Sequence, residues 1–159
     1  MLVDTPLQLN RPQPLLGEPY GTVIGVAQAL SDKGSDVRTL TNEEFRLATV
    51  SADAVLSVAV YDAVPPATRA ELAQAAAQNL RSGGWYVVIV PRNDTSITSR
   101  CTEENAFDDG HLFCRGESCT FFRNFRDHGP LVALIQSAGL TLAADRSSYR
   151  QVWLYFEKP

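Results

Sequence analysis

The chain has few of the features that mark a secreted, membrane-bound or nucleic-acid-binding protein. Three cysteines in 159 residues are too few for a disulfide framework. No apolar run approaches the length needed to cross a membrane, and the N-terminus lacks the basic-then-apolar pattern of a signal peptide. A net charge of −4 argues against duplex nucleic acid as the main partner. We therefore expect a cytoplasmic protein without a nucleic-acid or membrane partner.

The chain does have the length and apolar content of one well-packed domain. It is 45% hydrophobic and 20% charged, which is ordinary for a globular protein, and it contains no internal repeat. Residues 1–20 show no periodicity and include Pro6, Pro12, Pro14 and Pro19, so we expect an extended N-terminal arm there. Residues 21–159 are expected to form a single domain.

A complete βαβ unit is predicted from Ser51 to Pro91. The apolar run Ala54–Val60 is short enough to be a strand buried on both faces, and Trp85–Val90 is a second such run. Between them, Thr68 and Glu71 have the spacing of a capping box at the start of a helix. Because such a crossover joins parallel strands, the unit predicts an α/β fold.

The helix of this unit is expected to bury one face and to end at a pair of glycines. Apolar residues recur at helical spacing at Leu72, Ala75, Ala76 and Leu80. Ser82–Gly84 then ends the helix, because glycine tolerates the left-handed turn that follows a C-cap.

Weaker patterns outline the other elements. Thr22–Ala27 and Asp36–Thr41 have strand character, Gln28–Lys33 is at most a short helix, and Asn42–Val50 is a connection. Arg92–Gly129 is the longest irregular stretch, and loops of that length are functional or carry local structure. The chain is expected to end with a helix from Gly129 to Gly139 and an antiparallel hairpin of Leu140–Ala144 with Gln151–Phe156.

These segments resemble class I S-adenosylmethionine-dependent methyltransferases. The matching residues are Asp53 at the start of a strand, Leu80–Gly84 as the leucine and paired glycines that end a helix, and the apolar strand Tyr86–Val90. Leu131–Leu140 resembles the family's last helix before its hairpin. The resemblance implies a Rossmann-like sandwich with a mostly parallel sheet and a C-terminal antiparallel hairpin, shortened at its N-terminal half. It also implies S-adenosylmethionine as cofactor and a small-molecule acceptor.

The N-terminal half can be aligned with this family in two ways. In one register, Gly17, Tyr20 and Gly21 belong to a degraded glycine turn that binds the cofactor, and Val37–Thr41 is the second strand. In the other, Val23–Ala27 is the second strand, Asp36–Thr41 is the third, and the first strand with its glycine turn is missing. Strand propensity favours the second register, which implies a lost cofactor site.

Candidate site residues follow the strands of the βαβ unit. Ligands of open α/β sheets bind beyond the carboxyl ends of strands, so Tyr61 and Asp62 are candidate catalytic residues that could orient or deprotonate an acceptor. The alternative is a loop at a strand end with no chemistry. Ser57, within the first strand, is assigned to the cofactor site, and Asn93 and Arg123 are assigned to substrate binding.

The irregular stretch holds two further clusters. Its cysteines and histidines are Cys101, His111, Cys114, Cys119 and His128, but their spacing is irregular and we do not expect a zinc site. An alternative places Cys114 and Cys119 near each other across a turn. Its phenylalanines, interleaved with arginines such as Arg123, form either a substrate lid or a satellite core.

Two functions from different classes remain open. The first is transfer of a methyl group from S-adenosylmethionine to a small-molecule acceptor, mainly by proximity and orientation. The second is a catalytically inactive relative that has lost the cofactor site and serves as a binding or scaffold protein, as a homo-oligomer or with a partner chain.

Overall fold

The computed structural model of the chain describes residues 5–9, 32–34, 36–58, 60–62, 64, 66–91, 106–107, 110–115, 118–122, 127–149 and 151–159. The helices within them are α1 (Asn42–Leu47), α2 (Pro66–Asn79) and α3 (Gly129–Ser137). The strands are β1 (Thr5–Leu9), β2 (Val37–Leu40), β3 (Ala52–Val58), β4 (Leu80–Pro91), β5 (Ala106–Phe107), β6 (Gly110–Arg115), β7 (Ser118–Phe122), β8 (Thr141–Asp145) and β9 (Gln151–Glu157). No helix in this part of the chain is long and apolar enough to span a membrane.

The main sheet has the strand order β2-β1-β3-β4-β9-β8. The first four of these strands are mutually parallel, whereas β9 is antiparallel to both β4 and β8. The α/β prediction, with its mostly parallel sheet and C-terminal antiparallel hairpin, is therefore confirmed.

The strand β3 is buried on both faces of this sheet. Val55 packs with residues of all three described helices in the larger core, while Val58 and Ile89 form a second cluster on the opposite face. Ser57 shares the helix side of the strand and is also buried. Burial on both faces is usual for parallel strands and explains the run in the sequence that is apolar apart from Ser57.

The N-terminal prediction needs correction, because Thr5–Leu9 lies inside the main sheet and not in an arm outside it. Val37–Leu40 pairs with this strand, so Val37–Leu40 is the second strand of the fold and a first strand is present. The register that we favoured from strand propensity is therefore wrong. Pro6, one of the prolines of the expected arm, pairs only toward β2, and the pairing with β3 begins at Leu7. The expected strand at Thr22–Ala27 lies outside the described residues.

Two helices begin at residues other than the sequence predicted. The segment predicted as a connection contains α1, whose N-cap Thr41 forms a capping box with Glu44. The helix α2 begins at Pro66, two residues before the predicted cap Thr68. Glu71 does not cap this helix and instead forms an ion pair with Arg46 on α1.

Lys158, close to the last residue of the chain, contacts the C-terminal end of α2. The helix ends at Asn79, before the predicted stop at Ser82–Gly84. The ammonium group of Lys158 donates hydrogen bonds to the carbonyl oxygens of Ala77 and Leu80, each over 2.6 Å. A cation at this position satisfies the orphan carbonyl groups of the last turn and opposes the helix dipole.

A second, three-stranded sheet lies within the stretch predicted to be irregular. Its order is β5-β6-β7, and both pairings are antiparallel. In the β6–β7 hairpin the backbone positions of Cys114 and Cys119 are direct partners, which agrees with the alternative that places them near each other across a turn.

We predict that Gly84→Ala destabilises the protein more than Gly83→Ala. A Cβ atom at Gly84 would lie 2.8 Å from the Arg81 carbonyl oxygen and 3.1 Å from that of Asp53, so backbone must move. Gly83 has a φ of +75° but open space around it. We expect the free energy of unfolding to fall by up to about 3 kcal/mol in Gly84→Ala, because of overpacking, and by about 1 kcal/mol in Gly83→Ala, because of backbone strain. Urea unfolding of the two variants measures both values, and equal losses would contradict this assignment.

Candidate functional site

The strand order places a topological switch point beside β1. From β1 the chain continues to β2 on one side, and it later returns to β3 on the other side. Open α/β sheets bind ligands in the crevice beyond the carboxyl ends of such a strand pair. The residues that follow β3 at this edge are Val60, Tyr61 and Asp62, and all three are fully buried.

Tyr61 anchors this turn in the core. Its hydroxyl accepts a hydrogen bond from the Tyr86 hydroxyl over 2.9 Å, and the two rings meet edge to face. Burial, reinforced by Tyr86, raises the pKa of Tyr61 well above its usual value. Tyr61 therefore stays protonated at neutral pH and can act there as a hydrogen-bonding group, not as a proton-accepting phenolate.

Asp62 is the most unusual group at this edge. Its side chain is fully buried, and among the residues that the structure describes neither carboxyl oxygen has a hydrogen-bond partner on another residue. Burial raises the pKa of Asp62 to about 7, although its own backbone N–H and the charge of Arg69 act in the opposite direction. A carboxyl group that titrates near neutral pH is suited to general acid–base chemistry.

Arg69, in the first part of α2, contacts the same turn. It is 3% exposed, and its Nε donates a 2.8 Å hydrogen bond to the carbonyl oxygen of Tyr61. The sequence analysis did not identify this residue, because a helical pattern does not indicate a contact with a turn eight positions earlier. The available signal was an arginine on an otherwise apolar face of the helix.

Ser57 lies inside the core, on the helix side of β3. It is near the Tyr86 hydroxyl; burial raises the pKa of Tyr86 to about 12, while its hydrogen bond to Tyr61 and the nearby Ser57 side chain act in the opposite direction. Its assignment to a cofactor site stays a prediction. The structure thus brings Ser57, Tyr61 and Asp62 together at one end of β3. The other assigned residues lie outside the described positions or side chains: Gly17, Tyr20, Gly21, Asn93 and Arg123.

A histidine–aspartate pair lies at the same edge of the sheet, near the end of β8. His128 Nε2 is 2.7 Å from Asp145 Oδ2. Burial raises the pKa of Asp145, but hydrogen bonds from Ser147 and His128 outweigh it and leave the pKa below its usual value. The sequence raised His128 only as a member of the cysteine–histidine cluster. Among the described residues no three metal-ligating side chains come together.

A cleft of about 390 Å³ separates α1 from α2 on the helix-covered side. Glu43, Arg46 and Glu71 are among its lining residues, and the last two form the ion pair described above. The cleft is open, its lining is about equally polar and apolar, and the buried group Asp62 is not among its lining residues. The end of β3 is therefore the better candidate site.

We predict that Asp62→Asn removes a pH dependence of stability. Because the pKa is about 7 in the folded protein against 3.8 ordinarily, the folded state holds the proton more tightly. The resulting stabilisation is complete below pH 4 and is lost as the pH rises through 7, by about 4 kcal/mol in total. Urea unfolding between pH 4 and 8 should show this fall in the parent and not in the variant.

The exposed carboxylate variant Glu43→Gln is the matched control for this measurement and should keep the fall. Parallel curves for the parent and Asp62→Asn would contradict a buried, shifted carboxyl group.

No family model and no curated protein matches the sequence. Solved structures do match. A 1,6-didemethyltoxoflavin-N1-methyltransferase from Burkholderia thailandensis, crystallised with 1,6-didemethyltoxoflavin and S-adenosylhomocysteine, is 13% identical over 99% of this chain and 71% of its own, with a TM-score of 0.60. An S-adenosylmethionine-dependent methyltransferase from Methanosarcina mazei is 13% identical over 97% of this chain and 81% of its own, with a TM-score of 0.61.

A third similar structure is an S-adenosylmethionine-dependent methyltransferase from Clostridium acetobutylicum, 11% identical over 98% of this chain and 84% of its own, with a TM-score of 0.60. At such low identity the similarity concerns the fold. The chain therefore has the Rossmann-like fold of class I S-adenosylmethionine-dependent methyltransferases.

Proposed function

We propose that the protein transfers a methyl group from S-adenosylmethionine to a small-molecule acceptor, with Asp62 as the group that accepts the acceptor's proton. The observation that carries this proposal is the fully buried Asp62 carboxyl group at the end of β3, which has no hydrogen-bond partner on another described residue. A buried polar group of this kind is costly for the fold, so its presence at a switch point favours a ligand-related role.

The residues at this edge fit such a reaction. S-adenosylmethionine, when bound, supplies an electrophilic methyl group. Asp62 takes the proton that the acceptor's nitrogen or oxygen atom loses as it gains the methyl group, and the buried surroundings of Asp62 keep its basicity high enough for that transfer. Tyr61 and Tyr86 hold the turn beneath it through their mutual hydrogen bond.

The other contacts that we propose, with the cofactor and with the acceptor, come from the family resemblance. Gly17, Tyr20 and Gly21 are the residues that we propose to contact the cofactor in the first connection, with Ser57 at the neighbouring strand. Asn93 and Arg123 are proposed to contact the acceptor, with the arginine suited to an anionic group. These assignments rest on sequence position.

The inactive alternative loses its main support. It rested on an alignment in which the first strand and its turn are missing. Because β1 is present between β2 and β3, the strand pair that forms the crevice is complete. We therefore favour the enzyme over the scaffold, and we place the protein in the cytoplasm on the strength of its composition.

Binding of S-adenosylhomocysteine is the direct test. We expect the melting temperature of the full chain to rise, and calorimetry to show one site per chain. At about 100 times the dissociation constant, a ligand that binds only the folded state stabilises it by about 2.7 kcal/mol. ATP at the same concentration is the control, since it shares the adenosine group but lacks the amino-acid portion. A well-folded sample with no heat and no shift would contradict the proposal.

A further inference from the structure

We propose that Arg69 is a positioning residue, which holds the turn after β3 through the Tyr61 carbonyl group and thereby fixes Asp62 at the edge of the sheet. The inference rests on the proposed function in one respect, because it assigns the purpose of the positioning to the reaction at Asp62.

Arg69 occupies a position on its helix where a charged residue is unusual. Arg69, Leu72, Ala73 and Ala76 share the buried face of α2, and Arg69 is 3% exposed. An apolar residue would normally fill such a position, since burying a guanidinium costs several kcal/mol unless it is well paired. Stability alone therefore does not explain an arginine at this point.

Arg69 forms a hydrogen bond with the turn after β3. Its Nε donates to the Tyr61 carbonyl oxygen over 2.8 Å, so a side chain of the following helix holds the backbone of the turn directly. Asp62 is the next residue, and its backbone nitrogen is bonded to the carbon of that carbonyl group. With its guanidinium planar and rigid, arginine fixes the direction of the bond better than lysine would.

Arg69 also acts on the turn through its charge. Among the described residues, the charged or titratable side chains around this turn are Arg69 on α2, Tyr61 and Asp62 on the turn, and Tyr86 on β4. Both tyrosines are neutral near pH 7. The positive charge of Arg69 favours the carboxylate form of Asp62 against the effect of burial. One side chain thus helps to fix the place of the proposed proton acceptor and lowers its pKa against the larger effect of burial.

The test measures the titration of Asp62 itself in the full chain. The protein is labelled with ¹³C at the aspartate carboxyl carbons, and the signal lost in Asp62→Asn identifies Asp62. Arg69→Met is the main variant, because an apolar side chain of similar length suits the buried helix face and should leave the protein folded. We expect the Asp62 midpoint to rise by about one pH unit or more, since an adjacent cation lowers a carboxyl pKa by about 1–3 units.

Arg69→Lys retains the charge and should restore most of the midpoint. Arg46→Gln, which removes an exposed arginine and its ion pair with Glu71, should leave it at the value of the parent. A merely structural Arg69 would change the stability of Arg69→Met without moving the midpoint. A midpoint in Arg69→Met equal to that of the parent would overturn the proposal.

A second measurement follows the turn directly. Amide hydrogen exchange at Val60–Asp62 should be faster in Arg69→Met than in Arg46→Gln by a factor of ten or more, because the turn loses its anchor. Equal exchange in the two variants would also count against the proposal. Neither measurement uses a ligand, so failure of S-adenosylhomocysteine to bind would overturn the proposed function alone.

Discussion

The structure depends on the burial of β3 on both faces. This strand is paired in parallel with β1 on one side and β4 on the other, and its side chains enter both hydrophobic clusters. A strand so placed is mostly apolar, and its connections cross over a face of the sheet. The helix α2 provides the crossover to β4. Val60, Tyr61 and Asp62, which follow β3, are enclosed in the folded chain, and Arg69 of α2 contacts their turn.

That enclosure explains the chemistry at the end of β3. Tyr61 satisfies its hydroxyl with Tyr86, and its carbonyl oxygen with Arg69. Asp62 has no comparable partner in the described part of the chain, and its burial is the main cause of its raised pKa. The same environment therefore weakens the fold at higher pH and makes a carboxyl group reactive near neutral pH. Trade-offs of this kind between stability and activity are typical of functional sites.

The sequence predicted the elements that depend on local pattern and misplaced those that depend on distant contacts. The strands β3 and β4 were predictable from their apolar runs. Two threonine–glutamate pairs had the same capping spacing, yet only Thr41 and Glu44 form the box. Glu71 pairs with Arg46 instead, a choice made by the packing of α1 on α2. In the candidate site, likewise, the place of Asp62 after a strand was predictable from the local pattern, whereas the contact of Arg69 with the turn was not.

The place of β1 decides how the end of β3 should be interpreted. If β3 were an edge strand, the buried Asp62 would be a packing defect, and no ligand-binding crevice would explain it. With β1 paired to both β2 and β3, the same aspartate lies at the point where the strand order reverses. A fold selected only for stability would replace Asp62 and Arg69 with apolar residues, which the surrounding core would accommodate. Their joint presence at this one point of the sheet is the strongest physical reason to regard the crevice as a working site.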